Sequence, residues 1–203
     1  MNKTYFITGI GTGIGKTIVS AIITEKLEAD YWKPIQSGDL DESDSLRVHS
    51  LISNKKTIIH EEAFKLTRPL SPHLSAKLDD IELGIEKLQT PLTNNSLIIE
   101  GAGGLMVPLN DKELMLDYIQ SLGFEVILVS QNYLGSINHT LLSIEVLKAR
   151  NITIKGIIFN GNSNEETERY ITHYSNLSIL GHIPHLERTD KVSIKQAGQY
   201  LNI

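Results

Sequence analysis

Short apolar runs recur along this chain, each bounded by Gly, Asn or Pro. The runs cover residues 5–8, 96–100, 126–130, 155–160 and 179–183. Runs that are apolar at nearly every position are typical of strands buried on both faces of a parallel sheet. The pattern therefore predicts five buried strands.

Between these runs, apolar residues return at the helical period. The series are Val19, Ile23 and Leu27; Met115, Tyr118, Ile119 and Leu122; and Ile137, Leu141 and Ile144. Such spacing predicts helices with one apolar face. Strands that alternate with helices predict an α/β fold, with a doubly wound, mostly parallel sheet and helices on both of its faces.

The region between residues 36 and 93 is less regular than the rest of the chain. We expect an elaborated crossover there that carries one or two helices. No internal repeat, low-complexity tract or linker interrupts the sequence, and 203 residues are enough for one sizeable core. The sequence therefore predicts a single domain over residues 1–203.

Composition and charge exclude several classes of function. The chain is 40% apolar and 21% charged, and its net charge of −5 includes no basic region that would attract nucleic acid. No apolar run approaches the roughly 18 residues that cross a membrane. Without cysteine there can be no disulfide, thiolate metal site or cysteine nucleophile. Because the N-terminal residues have a strand pattern rather than that of a signal peptide, we expect a cytoplasmic enzyme.

A glycine-rich loop directly follows the first predicted strand and directly precedes the first predicted helix. It reads Gly9-Ile-Gly-Thr-Gly-Ile-Gly15-Lys16-Thr17. Glycines let backbone N–H groups converge on phosphate oxygens, and the helix N-terminus adds its positive end. Lys16 would reach the β- and γ-phosphates, and the Thr17 hydroxyl would bind Mg²⁺. This setting favours a P-loop over an incidental turn, although five residues, rather than the usual four, separate Gly9 from Gly15.

Two common P-loop classes lack their signatures in this sequence. No Asn-Lys-x-Asp motif occurs, so the usual guanine-recognition element of GTPases is absent. Partitioning-type ATPases place a second lysine five residues before the P-loop lysine, and that position is Gly11 here. Both classes are therefore disfavoured.

A carboxylate stands at the end of the second apolar run. Glu100 is followed by Gly-Ala-Gly-Gly104, and P-loop proteins place a second magnesium anchor at such a strand end, more often as aspartate. A lone glutamate there usually has no special role. The glycines that follow favour a position beside a ligand, because they let the backbone approach it.

A lysine and an acidic run lie further towards the N-terminus. Pro34 biases Lys33 towards an extended conformation, so Lys33 should end a short strand at the ligand-binding edge of the sheet. The acidic run contains Asp39, Asp41, Glu42 and Asp44. Composition alone does not distinguish a ligand site from an exposed helix start with acidic residues near its N-terminus.

In combination and in order, these motifs resemble those of the dethiobiotin synthetase family over roughly residues 5–190, and the five-residue spacing of the P-loop is shared with that family. The motifs are Gly9…Gly15-Lys16-Thr17, Lys33-Pro-x-x-Ser37-Gly38, Ser43-Asp44, Ser71-Pro-His73, Glu100-Gly-Ala-Gly-Gly104 and Gly135-x-Ile-Asn138-His139.

The resemblance implies a reaction in which 7,8-diaminononanoate, CO₂ and MgATP give dethiobiotin, ADP and phosphate through a carbamate. Lys16 and Lys33 would supply positive charge at the reacting centre. Thr12 and Ser37 would donate hydrogen bonds there. The implied magnesium anchors are Thr17, Asp44 and Glu100.

The resemblance also implies binding residues. Gly13, Ile14, Gly15, Lys16, Thr17 and Ile18 would hold the nucleotide phosphates, Asn160 would contact adenine, and Pro184 and Leu186 would line the base pocket. Ser37 and Gly103 would contact the diamine. In a homodimer, Gly135, Ser136, Ile137 and Asn138 at a helix N-terminus would hold its carboxylate across the interface, where exposed N–H groups favour an anion.

Gly13 departs from the family pattern, because many relatives carry an acidic residue there. Two other functions stay open from the sequence. A carboxylate-activating ligase or amidotransferase synthetase would normally need an attached glutaminase region with a cysteine nucleophile. A nucleotide-switch or partitioning ATPase would leave Lys33 and residues 135–138 without a role.

Overall fold

The computed structural model describes residues 2–203, so Met1, the first residue of the predicted domain, lies outside the described residues. The strands are β1 Thr4–Gly9, β2 Asp30–Trp32, β3 Ile35–Ser37, β4 Ile59–His60, β5 Phe64–Leu66, β6 Leu97–Gly104, β7 Glu125–Ser130, β8 Ile154–Asn160 and β9 Ile179–Ile183. The α-helices are α1 Lys16–Leu27, α2 Asp44–Leu51, α3 Pro72–Leu78, α4 Met115–Leu122, α5 Ser136–Ala149, α6 Glu165–Ser175 and α7 Lys191–Ala197. Short 3₁₀ turns cover Leu40–Glu42, Ile85–Lys87 and Gly198–Tyr200.

Seven strands form one parallel sheet in the order β4-β2-β6-β1-β7-β8-β9. The chain first builds outwards from β1 on one side and later, through β7, on the other. This reversal beside β1 is where open α/β sheets bind ligands, at the carboxyl ends of the strands. Strands β3 and β5 form a separate two-stranded parallel sheet.

Helices cover both faces of the sheet, as the side chains of β1 illustrate, because successive residues point to opposite faces. Tyr5 and Ile7 are buried in a core cluster with the apolar residues of α1 and α7. Phe6, between them, belongs to a second cluster with residues of α4. A third, smaller cluster joins β7 and β8 to α5 and α6. The predicted fold class, a doubly wound parallel sheet with helices on both faces, is confirmed.

All five predicted strands and the three predicted helices are present. The irregular region contains two α-helices, α2 and α3, as predicted, together with three short strands. Strand β6 extends past the predicted run of residues 96–100, because the glycines after Glu100 continue it to Gly104. The β1–β6 register is interrupted before Gly9 pairs with Gly104, so the extended glycine segment runs beside the phosphate loop.

The C-terminal segment packs against α1. Ile194 and Ala197 of α7 are buried in the same cluster as α1. Lys26 Nζ on α1 donates hydrogen bonds to the carbonyl oxygens of Gly198, at 2.8 Å, and Leu201, at 2.7 Å. Helix α7 therefore supports the helix whose N-terminus ends the phosphate loop.

Within residues 2–203, none of the helices has both the length and the apolar composition that crossing a membrane requires.

The packing of α7 gives a prediction for stability. Ile194 is fully buried and Val192, on the same helix, is 64% exposed. We expect Ile194→Ala to lower the free energy of unfolding by about 2–4 kcal/mol, because it removes buried methyl groups and leaves a cavity. Val192→Ala should change it by less than about 0.5 kcal/mol. Urea denaturation measures both, and equal changes would mean that the burial of Ile194 does not stabilise the fold.

Candidate active site

The loop between β1 and α1 adopts a conformation that needs glycine at its end. Gly13 and Gly15 have φ angles of +75° and +89°, in the left-handed region. A Cβ atom on Gly15 would lie 2.1 Å from Asn160 Nδ2. Asn160, at the end of β8, donates a hydrogen bond from Nδ2 to the Ile14 carbonyl oxygen at 3.0 Å. The end of β8 thus touches the loop, and only glycine fits between them.

Lys16 is the first residue of α1 and folds back over the loop. Its Nζ donates a hydrogen bond to the Gly11 carbonyl oxygen at 2.8 Å. Burial and, to a smaller extent, the charge of Lys33 lower the pKa of Lys16 to about 8, although Glu100 and Asp44 partly oppose the shift. An anion bound in the loop would therefore stabilise the charged form of Lys16.

Three oxygen-bearing side chains meet beside the loop. Thr17 Oγ1 lies 2.8 Å from Asp44 Oδ1 and 2.9 Å from Glu100 Oε1. The single hydroxyl proton of Thr17 cannot be donated fully to both carboxylates. This set of hard oxygen donors fits a divalent cation that completes its shell with phosphate oxygens and water. Within the described part of the chain, no three His, Cys, Asp or Glu side chains form a metal-binding group. A cation here would therefore need phosphate oxygens and water as additional ligands.

Lys33, the residue after β2, neutralises much of the negative charge of this cluster. Its Nζ lies 2.7 Å from Asp44 Oδ2 and 3.1 Å from Glu100 Oε1, and it donates to the Gly101 carbonyl oxygen at 3.2 Å. Burial opposes the charge of Lys33, but Glu100 and Asp44 outweigh it and raise its pKa. Burial likewise opposes ionisation of Asp44, yet Lys33 holds the pKa of Asp44 below its ordinary value. Both side chains are therefore charged.

Two further side chains position Glu100 and Asp44, one through the carboxylate of Glu100 and one through the backbone of Asp44. Neither was predicted from the sequence. The Tyr31 hydroxyl donates to Glu100 Oε2 at 2.9 Å. Burial raises the pKa of Tyr31 well above its ordinary value, and Glu100 and Asp44 raise it further, so the hydroxyl keeps its proton. Gln36 accepts a hydrogen bond from the Asp44 backbone N–H at 3.1 Å and donates to the Gly38 carbonyl oxygen at 2.9 Å. Nothing in the spacing of the residues indicated either contact.

One cavity of about 800 Å³ is bordered by the phosphate loop together with Lys33, Gln36, Asp44 and Glu100. Its predicted site residues are Thr12, Gly13, Gly15, Lys16, Thr17, Ile18, Lys33, Ser37, Asp44, Glu100 and Gly103. Ser37 Oγ is buried and has no hydrogen-bond partner among residues 2–203. Because a buried hydroxyl without a partner is costly, this one is available to a ligand in the cavity.

Four predicted nucleotide contacts, Ile14, Asn160, Pro184 and Leu186, do not line this cavity. The side chain of Ile14 is buried in the core cluster that contains α1. Asn160 touches the phosphate loop, as described above. Pro184 and Leu186 follow β9, and Leu186 packs against the cluster that contains α1. The structure therefore brings Asn160 to the loop but leaves Pro184 and Leu186 outside the cavity lining.

The predicted carboxylate-binding segment also lies apart from the phosphate loop within one chain. Gly135 has a φ of +102° and immediately precedes α5. Gly135, Ile137 and Asn138 border a different cavity, of about 780 Å³, and Ser136 is buried. Leu134, which directly precedes this segment, is fully exposed. A single chain thus does not join this segment to the phosphate cavity.

Comparison with solved structures agrees with the fold. A ParA family ATPase from Chlorobium tepidum matches with a TM-score of 0.60 at 14% identity, covering 99% of this chain and 100% of that one. The cell division ATPase MinD from Pyrococcus furiosus matches with a TM-score of 0.62 at 14% identity, covering 98% of each chain. At such low identity these matches show a shared P-loop fold and nothing about activity.

Comparison of sequences is more specific. The family model described as an AAA domain matches residues 3–193. An ATP-dependent dethiobiotin synthetase BioD from Christiangramia forsetii is 52% identical over 97% of this chain and 94% of its own length. The protein of the same name from Cytophaga hutchinsonii is 51% identical over 93% of this chain and 92% of its own length. With half of all residues identical over nearly the full length of both relatives, this chain belongs to the ATP-dependent dethiobiotin synthetase family.

Proposed function

We propose that the protein is an ATP-dependent cyclo-ligase that closes the ureido ring of dethiobiotin from 7,8-diaminononanoate and CO₂, a step of biotin biosynthesis. The observation that carries the proposal is a group of two lysines and two carboxylates beside a phosphate loop, in which Lys16, Lys33 and Glu100 are buried and Asp44 is half-buried. The names of the relatives at 52% and 51% identity support it. We place the reaction in the cytoplasm, where ATP is available, and assign it to residues 1–203 as one domain.

The proposed reaction has three steps. One amine of the diamine adds to CO₂ and loses a proton, which gives a carbamate. A carbamate oxygen attacks the γ-phosphorus of ATP, so that ADP leaves and a carbamic–phosphoric anhydride forms. The second amine attacks the carbonyl carbon of the anhydride, and ring closure releases phosphate and a proton.

The second step brings two anions together, and the positive charge of the two lysines would reduce the repulsion between them. A carbamate and a γ-phosphoryl group repel each other unless positive charge is held between or beside them. Lys16 lies in the phosphate loop and Lys33 borders the same cavity. Because phosphoryl transfer needs charge neutralisation and positioning, no protein nucleophile is required.

We propose that Thr17, Asp44 and Glu100 hold Mg²⁺. The three oxygens fit this ion in kind and in number, since Mg²⁺ is commonly held by one or two carboxylates together with substrate phosphates. When bound, the ion would neutralise charge on the transferred phosphoryl group. On the protein side, Lys33 contacts both carboxylates and favours the ionised form of Asp44.

The remaining cavity residues would orient the substrates. Thr12 and the buried Ser37 hydroxyl would donate hydrogen bonds to the carbamate or phosphoryl oxygens, and Gly103, with a φ of +64°, would let the backbone approach the diamine. Gly13, Ile14, Gly15 and Ile18 would contribute loop contacts to the nucleotide. We assign Asn160, Pro184 and Leu186 to the adenine side on family resemblance.

We further propose a homodimer in which residues 135–138 of one chain hold the diamine carboxylate of the site in the other. Within one chain this segment borders a cavity separate from the phosphate site. Several large apolar side chains near it are exposed, among them Leu134, Leu142 and Met106. An exposed apolar surface of this kind favours contact with another protein surface.

A nucleotide switch is the alternative function, because a P-loop fold by itself can serve either a ligase or a switch. The two functions differ in what ATP turnover requires. A ligase needs the diamine and CO₂, whereas a switch hydrolyses ATP without them.

Incubation with MgATP, bicarbonate and 7,8-diaminononanoate should therefore yield dethiobiotin, detected by mass, with ADP formed in equal amount. Lys33→Met should lower this turnover by roughly 10², because it removes a positive group from the reacting centre while keeping the length of the side chain. Steady ADP production without the diamine, and no dethiobiotin, would contradict the ligase and support the switch. Wild-type turnover by Lys33→Met would mean that Lys33 serves only to balance the carboxylates.

The magnesium assignment separates two aspartates of the acidic run. Asp44 contacts Thr17 and Lys33, whereas Asp41 is exposed in the preceding 3₁₀ turn. We expect Asp44→Asn to raise the Mg²⁺ concentration for half-maximal activity at least about tenfold, because a charged oxygen ligand is lost. Asp41→Asn is the matched control and should leave it unchanged. Equal increases in the two variants would indicate a diffuse negative field instead of a defined anchor.

The dimer proposal is tested by mixing two variants with impaired sites, at a diamine concentration far below the raised KM of the first. Gly135→Val should raise the KM for the diamine, because a side chain would obstruct the helix N-terminus, whereas ATP binding should change little. If the site spans two chains, equal mixing of Gly135→Val with Lys16→Ala after subunit exchange should restore about a quarter of wild-type turnover per chain. Half of the dimers would then be hybrids, and each hybrid would contain one intact site.

Gly123→Val is a suitable control for backbone strain. Gly123 also has a positive φ, of +67°, and a Cβ atom there would meet no other atom within 4 Å, but it ends α4 away from both cavities. It should leave the KM for the diamine unchanged. Subunit exchange confirmed by mass without recovered activity would show that each chain builds a complete site.

A further inference from the structure

We propose that Tyr31 is a positioning residue for the reaction: its buried hydroxyl fixes the orientation of the Glu100 carboxylate and thereby sets how tightly the site binds its divalent cation. This inference rests on the proposed function, in which Glu100 is a magnesium anchor. It assigns to Tyr31 a role that acts through Glu100, without contact with the substrates.

The two oxygens of Glu100 have separate partners. Oε1 faces the reacting side of the cavity, where Thr17 Oγ1 lies at 2.9 Å and Lys33 Nζ at 3.1 Å. Oε2 faces away from them and accepts the Tyr31 hydroxyl at 2.9 Å. Rotation of the carboxylate would break the contact with Tyr31. The hydroxyl therefore holds Oε1 towards Thr17 and Lys33.

Strand register explains why Tyr31 reaches this carboxylate. Strands β2 and β6 are neighbours in the parallel sheet, and Tyr31 is in register with Ile98. Because side chains alternate along a strand, Ile98 and Glu100 point to the same face. Tyr31 shares that face and extends along it to Glu100. Its ring is fully buried in the core cluster, so the hydroxyl has a fixed position.

A glutamate at this position needs such a restraint more than an aspartate would. Its side chain has one more rotatable bond, and ordering it costs more conformational entropy. Glu100 is 1% exposed, so water cannot take the place of the hydroxyl on Oε2. The next residue, Gly101, offers no side chain to hold it. Partners that orient metal-binding carboxylates commonly change metal affinity by 10–100-fold when they are removed.

The chain contains a closely matched control for the loss of a buried hydroxyl. Tyr5, on β1, is also fully buried and belongs to the same core cluster as Tyr31. Its hydroxyl has no hydrogen-bond partner within residues 2–203. Tyr5→Phe and Tyr31→Phe therefore remove the same atom from the same core, and only the second removes a contact with Glu100.

The experiment measures binding of a fluorescent ATP analogue to the full chain over a range of Mg²⁺ concentrations, together with Tm and steady-state turnover. Tyr31→Phe should raise the half-saturating Mg²⁺ concentration about tenfold. At saturating Mg²⁺ its kcat should return to within about twofold of wild type, because Tyr31 does not touch the substrates. Tyr5→Phe should leave the Mg²⁺ midpoint unchanged.

A double-mutant cycle with Glu100→Gln tests whether Tyr31 acts through Glu100. Glu100→Gln alone should raise the Mg²⁺ midpoint, and adding Tyr31→Phe to it should raise the midpoint no further, since coupled residues are not additive. A further increase would mean that Tyr31 acts independently of Glu100 and would overturn the proposal. An equal increase in Tyr5→Phe would overturn it as well, because it would reflect general loosening of the core.

The outcomes also separate this inference from the proposed function. If Glu100→Gln raises the midpoint but Tyr31→Phe does not, whether or not its Tm falls, the positioning role is wrong and the magnesium site stands. If nucleotide binding by the wild type and by Glu100→Gln responds to Mg²⁺ in the same way, Glu100 is not an anchor. The magnesium assignment then fails, and the role of Tyr31 fails with it.

Discussion

The buried charges at the carboxyl end of the sheet are the constraint on which the rest of the site depends. Lys33 is 4% exposed and Glu100 is 1% exposed, and Lys33 contacts both Glu100 and Asp44. Removing one member of a buried ion pair typically costs about 3–5 kcal/mol, because the other charge is left without a partner. The fold must therefore deliver these charges to one place together, from β2, β6 and the start of α2.

The topology of the sheet makes this convergence unavoidable. Strands β2, β6 and β1 lie side by side and run parallel, so their carboxyl ends meet at one edge. Lys33 follows the first of these strands, Glu100 lies on the second, and the phosphate loop follows the third. Only Asp44 comes from outside the sheet, and Gln36 holds its backbone N–H at the start of α2. A large part of the site is thus a consequence of strand order.

Residues that are neighbours in the sequence could be predicted to act together, whereas residues that meet only in the fold could not. The phosphate loop was identifiable because its glycines, Lys16 and Thr17 are adjacent in the chain and lie between a recognisable strand and helix. Tyr31 and Gln36 were missed because their partners are defined by tertiary contacts. Glu100 is 69 residues from Tyr31. Helix α7 was missed because its buried residues, Ile194 and Ala197, are too few to form a clear helical pattern.

Structural likeness alone does not identify the activity, because proteins that share a fold can differ in the side chains of the site. The solved ParA family and MinD ATPases share the P-loop fold of this chain. At its strand ends this chain carries the buried Lys33 and the Ser37 hydroxyl, which has no hydrogen-bond partner within residues 2–203. In its loop it carries Gly11, whose carbonyl oxygen accepts a hydrogen bond from Lys16. Lys16, Lys33 and Ser37 border one cavity, and in the proposed reaction they would receive the anionic carbamate beside the nucleotide. The chemistry is therefore determined by side chains at the sheet edge, on a scaffold that other proteins use for different purposes.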